Sequence, residues 1–208
     1  MNDKLSRRDF LKSAGLLGLG AASLLTTKSE ASPIPQSPPQ KGKNVFGLTV
    51  PKMETVRTAF IGVGARGSGH VAHMLSIEGV EIKAICDIHE PTALASVKRC
   101  TDKGHPAPTA YTNGPDDYKR MLERDDIDIV IISTPWEDHV RQSVDTMNAG
   151  KHAFIEVPAA ITVEGCWELV DAAEKNQKNC MMLENVCYGR EELLVLNMCR
   201  LGLFGELL

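Results

Sequence analysis

A glycine-rich turn and one aspartate are the residues of this sequence whose spacing most clearly predicts chemistry. Gly62, Gly64 and Gly67 form a G-x-G-x-x-G pattern between an apolar segment and a helix-forming segment, and Asp87 ends the next apolar segment. In dinucleotide sites the three glycines permit a tight turn, a close approach of the backbone to the pyrophosphate, and close packing of helix on strand. The helix N-terminus attracts phosphate and the acid accepts hydrogen bonds from ribose. The pattern predicts an NAD site in which the charge of Asp87 disfavours NADP. A glycine turn without a ligand is the alternative.

Polar and aromatic side chains also follow three later apolar segments. Ligands of open α/β sheets lie beyond the carboxyl ends of the strands, so these positions are candidate cofactor or substrate contacts. The alternative for these positions is helix capping, and for Trp136 it is packing. The candidates after the three segments are Thr134, Trp136 and His139, then Glu156, and then Asn185 and Tyr188.

Apolar runs and amphipathic runs alternate from residue 56 onward, which predicts a parallel sheet with helices on both faces. The fold class is therefore α/β, a doubly wound Rossmann sheet. Strands are expected at 56–64, 81–87, 110–111, 127–133, 152–157 and 179–184. Helices are expected at 67–77, 91–102, 116–122, 137–148, 162–177 and 191–200.

The composition is that of an ordinary globular protein, with 208 residues, 43% hydrophobic residues and a net charge of −4. This mild acidity argues against a nucleic-acid partner, because such partners require basic surfaces. The six cysteines form no C-x-x-C pair and no metal-ligand spacing with histidine, so no metal site is expected. Most of them fall in predicted strands or helices, which predicts buried free thiols, with a disulfide as the alternative.

Residues 1–31 have the pattern of an export signal rather than of a folded element. The run from Ser6 to Lys12 (SRRDFLK) resembles the twin-arginine motif, and an apolar segment and a small-residue cleavage site follow it. The apolar segment is too short to span a bilayer as an ordinary helix, so no stable membrane anchor is expected. A periplasmic or secreted location is therefore predicted, with an N-terminal amphipathic helix as the alternative. Residues 32–52 are predicted to form a proline-rich linker. Residues 53–186 are predicted to form the nucleotide domain, and residues 187–208 are predicted to begin a second domain.

Several of these motifs resemble the Gfo/Idh/MocA oxidoreductases. They are the Thr134-Pro135-x-x-x-His139 segment, the Glu156-x-Pro158 segment and the Glu184-Asn185 pair. The resemblance implies a Rossmann domain followed by an α/β substrate domain, which would be largely missing after Leu208. Family members usually carry Glu-Lys-Pro, whose lysine assists hydride chemistry on a sugar hydroxyl. Here that lysine is replaced by Val157.

The departure at Val157 and the block from Glu184 to Arg190 (ENVCYGR) resemble one branch, glycoside hydrolase family 109. That branch implies α-N-acetylgalactosaminidase activity on a glycoside with terminal N-acetylgalactosamine, and NAD used without net consumption. It implies transient oxidation at C3 of the sugar, elimination of the glycosidic oxygen, and addition of water at C1. It assigns Tyr188 to acid/base catalysis, and places Ala65, Arg66, Asp87, residues 136–139, Glu156, Val157 and Asn185 at NAD.

A chain ending at Leu208 is expected to bind NAD without turning over sugar. The alternatives are an exported sugar or cyclitol oxidoreductase and a non-catalytic nucleotide-binding protein.

Overall fold

The computed structural model describes residues 42–205, and its centre is one six-stranded parallel sheet. The strands are β1 (Val56–Ile61), β2 (Val80–Cys86), β3 (Thr109–Tyr111), β4 (Ile129–Ile132), β5 (His152–Ile155) and β6 (Cys180–Met182). Their spatial order is β3-β2-β1-β4-β5-β6, and every neighbouring pair is parallel. The predicted doubly wound Rossmann sheet is confirmed.

Within residues 42–205, six α-helices and one short 3₁₀ helix connect or follow these strands. They are α1 (Ala65–Met74), α2 (Glu90–Asp102), α3 (Asp117–Leu122), α4 (Trp136–Asn148), α5 (Val163–Asn176), the 3₁₀ helix Val186–Tyr188, and α6 (Arg190–Arg200). Local chemistry explains several ends. Pro91 lies in the first turn of α2, where no amide hydrogen is needed. Thr162 caps α5 by accepting a bond from Gly165 N at 3.0 Å.

The side chains of the central strands alternate between two apolar layers, because successive residues of a strand point to opposite faces. Phe60 and Ile131 pack with α1 and α2 on one face. Ile61 and Val130 pack with α3, α4 and α5 on the other face. Both faces of the central strands are therefore covered, and the edge formed by the carboxyl ends of the strands is open to a ligand.

The predicted linker lies partly inside the packed unit. Val45 packs against the apolar layer on the α5 side, and Lys43 O accepts a 2.6 Å hydrogen bond from Gln177 Nε2, just after α5. Among the described residues, packing therefore includes residues about ten positions before Met53, the start of the predicted nucleotide domain. The predicted signal peptide, residues 1–31, and residues 32–41 of the predicted linker lie outside the described residues.

The carboxyl-terminal part of the described chain differs from the rest in its burial. No residue of α6 is buried, and Met181 and Met182 of β6 are exposed. This segment includes part of the region predicted to start a second domain. Within residues 42–205, no helix has the length and apolar character needed to cross a membrane.

Candidate functional site

The candidate site is a crevice at the carboxyl edge of the sheet, between β1 and β4. The strand order reverses there, since β2 and β3 lie on one side of β1 and β4 to β6 on the other. Such a switch point leaves a space between the two following turns, where α/β proteins bind ligands. A cavity of about 290 Å³ occupies this position. It is lined by Gly62, Gly64, Asp87, Ser133, Thr134, Gln142 and several neighbours.

The geometry of the glycine turn explains why each glycine is needed. Gly62 has a φ of +80°, and this backbone conformation ends β1. A Cβ there would lie 2.8 Å from Ser133 O, so only glycine lets the turn after β4 approach this closely. A Cβ on Gly67 would overlap the carbonyl oxygen of Gly62, so only glycine lets α1 pack this close. Gly64 is exposed, and a Cβ there would meet nothing within 4 Å. Gly64 also lines the crevice, so the absence of a side chain leaves space for a ligand there.

Asp87 ties the end of β2 to this turn. Its Oδ2 accepts a hydrogen bond from Val63 N at 2.8 Å, and its Oδ1 accepts one from His89 N at 2.8 Å. Each carboxylate oxygen can accept a second bond, so the side chain keeps acceptor capacity for the hydroxyls of a ribose. The preceding residue is inert, because burial, followed by the charges of Asp117 and Asp87, raises the pKa of the Cys86 thiol to about 12.

The turn after β4 forms the opposite wall of the crevice. Thr134 Oγ1 donates a 2.7 Å hydrogen bond to Gln142 Oε1, which lies in α4. Trp136 begins α4 and leaves 58% of its surface exposed, so the indole is available to a ligand at this edge.

His139 has a different position from the one predicted. Its side chain has no exposed surface, and its ring nitrogens lie 2.7 Å from Pro158 O and 2.9 Å from Thr134 O. A side chain buried in this way cannot touch a cofactor in this conformation. The ring instead joins the turn after β4 to the turn after β5, and the predicted contact is corrected to an indirect one.

Glu156 follows β5 and is the centre of a charged cluster. Its Oε1 accepts hydrogen bonds from Arg66 Nε at 2.7 Å and from His70 Nε2 at 2.5 Å, both in α1. Burial alone would raise the pKa of Glu156, but the bonds from Arg66, His70 and the amide of Val157 outweigh it and lower the pKa. Glu156 is therefore an anion across the neutral pH range. Val157 is 38% exposed and offers no proton donor or acceptor.

Asn185 and Tyr188 follow β6, and both are exposed. Tyr188 ends the 3₁₀ helix with 69% of its surface exposed. Val186 N donates to Glu184 Oε1 at 2.9 Å, which stabilises the turn that carries both residues. The two side chains lie after the sheet's edge strand, at the end of the sheet that carries the glycine turn.

The structure thus brings the predicted residues together in two groups. Gly62, Gly64, Asp87 and Thr134 share the crevice, with Ala65 and Gly67 in the turn beside it. Arg66 and Glu156 are in direct contact, and the exposed Trp136, Val157, Asn185 and Tyr188 follow β4, β5 and β6.

Sequence reasoning missed His70 and Gln142, which contact the predicted residues Glu156 and Thr134. His70 lies four positions after Arg66, which places both on one face of α1, and this spacing was the available signal. Gln142 has no comparable signal, because its partner Thr134 precedes the helix that carries it.

The residues present fit a dinucleotide. The first turn of α1 leaves its amide hydrogens without intrahelical partners, and no side chain caps the helix at Gly64. Gly64, which precedes this turn, lines the crevice together with Asp87. Backbone amides suit the pyrophosphate and the carboxylate suits a ribose, which is the donor and acceptor set of an NAD site.

A family model described as an oxidoreductase family with an NAD-binding Rossmann fold matches residues 56–184. The chain belongs to the Gfo/Idh/MocA family. Its Rossmann domain therefore takes NAD. The crevice between β1 and β4 has the position at which open α/β sheets bind ligands.

Among curated proteins, the chain is 57% identical over 205 residues to a glycosyl hydrolase family 109 protein of Shewanella pealeana. It is 54% identical over 206 residues to an α-N-acetylgalactosaminidase of Shewanella oneidensis. These alignments cover 99% and 98% of this chain and 45% and 44% of the two relatives. The chain thus spans less than half the length of the curated relatives it matches.

Among solved structures, the chain resembles the WlbA dehydrogenase of Chromobacterium violaceum, which was crystallised with NADH and UDP-GlcNAcA. The TM-score is 0.67 at 26% identity, and the match covers 76% of this chain and 44% of that one. The myo-inositol 2-dehydrogenase of Lactobacillus plantarum has a TM-score of 0.64 at 24% identity, with coverage of 74% and 43%, and shares the fold.

Proposed function

We propose that the protein is an NAD-dependent glycoside hydrolase of the family 109 type, acting on glycosides with terminal N-acetylgalactosamine. The observation that carries this proposal is the 54% identity to an α-N-acetylgalactosaminidase over 98% of the chain. The geometry of the site supports the same choice. The position after Glu156 holds an exposed valine, so it lacks the amine that family dehydrogenases use for direct oxidation of a sugar hydroxyl.

Bound NAD supplies a reversible hydride acceptor, which permits transient oxidation of the sugar without net consumption of the cofactor. The protein's own residues bind and orient it. The amides at the start of α1 would hold the pyrophosphate, Asp87 would accept a hydrogen bond from a ribose, and the turn after β5 would contact the nicotinamide half. Trp136, exposed at the start of α4, shields this edge from water.

We assign Tyr188 to proton transfer on the sugar. Its phenol is exposed, and it lies after the last strand of the sheet, on the side where a substrate would approach the nicotinamide half. A hydroxyl there can hold or move the proton that is removed from C2 or given to the leaving oxygen. Asn185, three positions earlier, can bind the cofactor or a sugar hydroxyl with its amide.

The test uses the full-length protein that contains this chain, purified without added cofactor. The proposal predicts bound NAD after denaturation and release of nitrophenol from the nitrophenyl α-N-acetylgalactosaminide. Tyr188→Phe should abolish release while retaining bound NAD. Unchanged turnover in Tyr188→Phe would contradict the assignment of Tyr188. Net accumulation of reduced nicotinamide with a free sugar would instead identify an oxidoreductase.

The 208-residue chain itself is proposed to bind NAD without hydrolysing the glycoside. The described residues contain the crevice, whereas residues 186–205 that follow β6 are almost wholly exposed. Nitrophenol release by the purified 208-residue chain would overturn this proposal.

We also propose export by the twin-arginine route to the periplasm or the exterior, on the basis of Arg7 and Arg8 in the run SRRDFLK. Replacing both arginines with lysine should keep the protein in the cytoplasmic fraction, since the pathway's receptor reads the arginine pair. Normal export of the double-lysine variant would exclude this route.

A further inference from the structure

Arg66 and His70 contact the same oxygen of Glu156, and this shared contact links two elements that are distant in sequence. The two residues lie one helical turn apart on α1, and Glu156 comes 90 and 86 residues later. The cluster therefore connects the helix that follows the glycine turn to the turn after β5, across the intervening strand β4.

The two contacts differ in how firmly they can fix Glu156. The side chain of Arg66 is 53% exposed, whereas those of His70 and Glu156 are 18% and 12% exposed. An exposed arginine pays side-chain entropy and is screened by salt, so its pairing restricts geometry weakly. The short, mostly buried imidazole has few rotamers and holds its nitrogen at one position. His70 is therefore the member that defines where the carboxylate lies.

The carboxylate of Glu156 in turn positions Arg66 and the backbone of Val157. Its Oε1 already has two donors, and its Oε2 receives the amide of Val157 at 3.3 Å. The amide contact orients the Glu156-Val157 turn, and the Oε1 contact draws the Arg66 side chain toward β5. A displaced carboxylate would release both.

We propose that His70 is a positioning residue for the nicotinamide half of NAD, which it serves by fixing Glu156 and, through it, Arg66 and the turn after β5. This proposal rests on the NAD site and adds a residue to it. It concerns one half of the cofactor, because Asp87, which would accept from the adenosine half, contacts the glycine turn from the β2 side.

The test separates the two halves of the cofactor by measuring dissociation constants for NAD⁺ and for AMP by calorimetry on the 208-residue chain. His70→Asn shortens the side chain so that it cannot reach Glu156. His70→Gln places an amide nitrogen near the position of the ring Nε2. His73→Asn changes an exposed histidine on the same helix and serves as the matched control.

We expect His70→Asn to weaken NAD⁺ binding about tenfold, the effect of losing one hydrogen bond to a charged group. Its affinity for AMP should stay that of the wild type. His70→Gln should recover most of the NAD⁺ affinity, and His73→Asn should change neither constant.

Four results would overturn the proposal. One is unchanged NAD⁺ affinity in His70→Asn, and another is an equal loss for AMP, which would indicate a general structural role. The third is failure of His70→Gln to recover affinity. The fourth is equal affinity of the wild-type protein for AMP and NAD⁺, which would show that the nicotinamide half contributes nothing to binding. If the wild-type protein binds neither ligand, the nucleotide site itself is refuted.

Discussion

The carboxylate of Asp87 accepts a hydrogen bond from the amide of Val63 at 2.8 Å, which joins the end of β2 to the middle of the glycine turn. The residue placed to accept from a ribose thus also holds the backbone that approaches the pyrophosphate. Its second oxygen accepts from His89 N, at the start of α2. One side chain therefore connects three parts of the site.

Asp87→Asn should lower both stability and cofactor discrimination. An asparagine has one acceptor oxygen, so the amide of Val63 or of His89 would face an NH₂ group, and we expect a loss of about 1–3 kcal/mol in the free energy of unfolding. Loss of the charge should also raise the affinity for NADP relative to NAD. Denaturant unfolding and calorimetry measure the two effects.

Asp102→Asn is the control for this substitution. Asp102 pairs with Lys98 on the exposed face of α2, where side chains of such pairs contribute at most about 1 kcal/mol. Equal losses in the two variants, or an unchanged ratio of NADP to NAD affinity in Asp87→Asn, would contradict the role given to Asp87.

Three glycines of one short segment should respond differently to alanine. Gly67→Ala places a methyl group against the carbonyl of Gly62, so α1 must move, and we expect loss of stability together with loss of NAD binding. Gly64→Ala meets no protein atom within 4 Å, so the chain should fold while the methyl group obstructs the pyrophosphate. We expect NAD affinity to fall about tenfold or more, since the lost contacts include charge-assisted bonds.

Gly69→Ala is the matched control, because it also meets nothing within 4 Å but lies inside α1. Alanine in a helix interior is favoured over glycine by about 0.5–1 kcal/mol, so stability should rise slightly with NAD affinity unchanged. Thermal unfolding and calorimetry of the three variants give the comparison. Equal NAD affinity in Gly64→Ala and Gly69→Ala would exclude Gly64 from the site.

The sequence predicted the elements well because each one is encoded locally. Apolar runs marked all six strands, and most observed ends differ from the expected ones by only a few residues. β1 ends earlier than expected because Gly62, with its positive φ, leaves the extended region. β4 and β5 also end earlier than expected, before the turns that line the edge of the sheet.

The contacts between distant elements could not be predicted in the same way. The bond between Glu156 and His70 joins residues far apart in the chain, and no periodicity encodes it. The prediction of buried cysteines was correct for Cys86 and Cys100 but wrong for Cys166 and Cys187, which are exposed. Residence in a helix or strand does not say which face a residue occupies. The burial of His139 was missed for the same reason.

His152 should make stability depend on pH. Its Nδ1 accepts the amide of Asn179 at 2.9 Å, a bond that only an unprotonated nitrogen can accept. Burial, followed by the charge of Lys178, lowers the pKa of His152 from its ordinary value, although Asp128 acts in the opposite direction. The stability that His152 contributes is therefore fully present above its unfolded pKa of about 6.5 and is lost as the pH falls toward the lower folded value.

His152→Asn keeps an acceptor oxygen at this position but cannot titrate. The free energy of unfolding, measured in urea between about pH 7.5 and pH 5.5, should therefore fall less steeply in His152→Asn than in the wild type. His73→Asn removes an exposed histidine and should keep the wild-type slope. A wild-type slope in His152→Asn would show that another group controls the pH dependence.

Helix α6 should open far more easily than the sheet in the 208-residue chain. None of its residues is buried, and its leucines Leu193, Leu194 and Leu196 expose 47%, 59% and 44% of their surfaces. A helix of 11 residues with no packed face has little beyond its own hydrogen bonds to stabilise it. Hydrogen exchange followed by mass spectrometry should give opening free energies near zero for α6 and several kcal/mol for β4, whose residues are nearly all buried.

The surface helix α2, which packs Ala93 and Cys100 into the core, is the internal control and should be protected. Protection of α6 equal to that of α2 would show that this apolar helix is covered in solution, and the prediction would then be wrong.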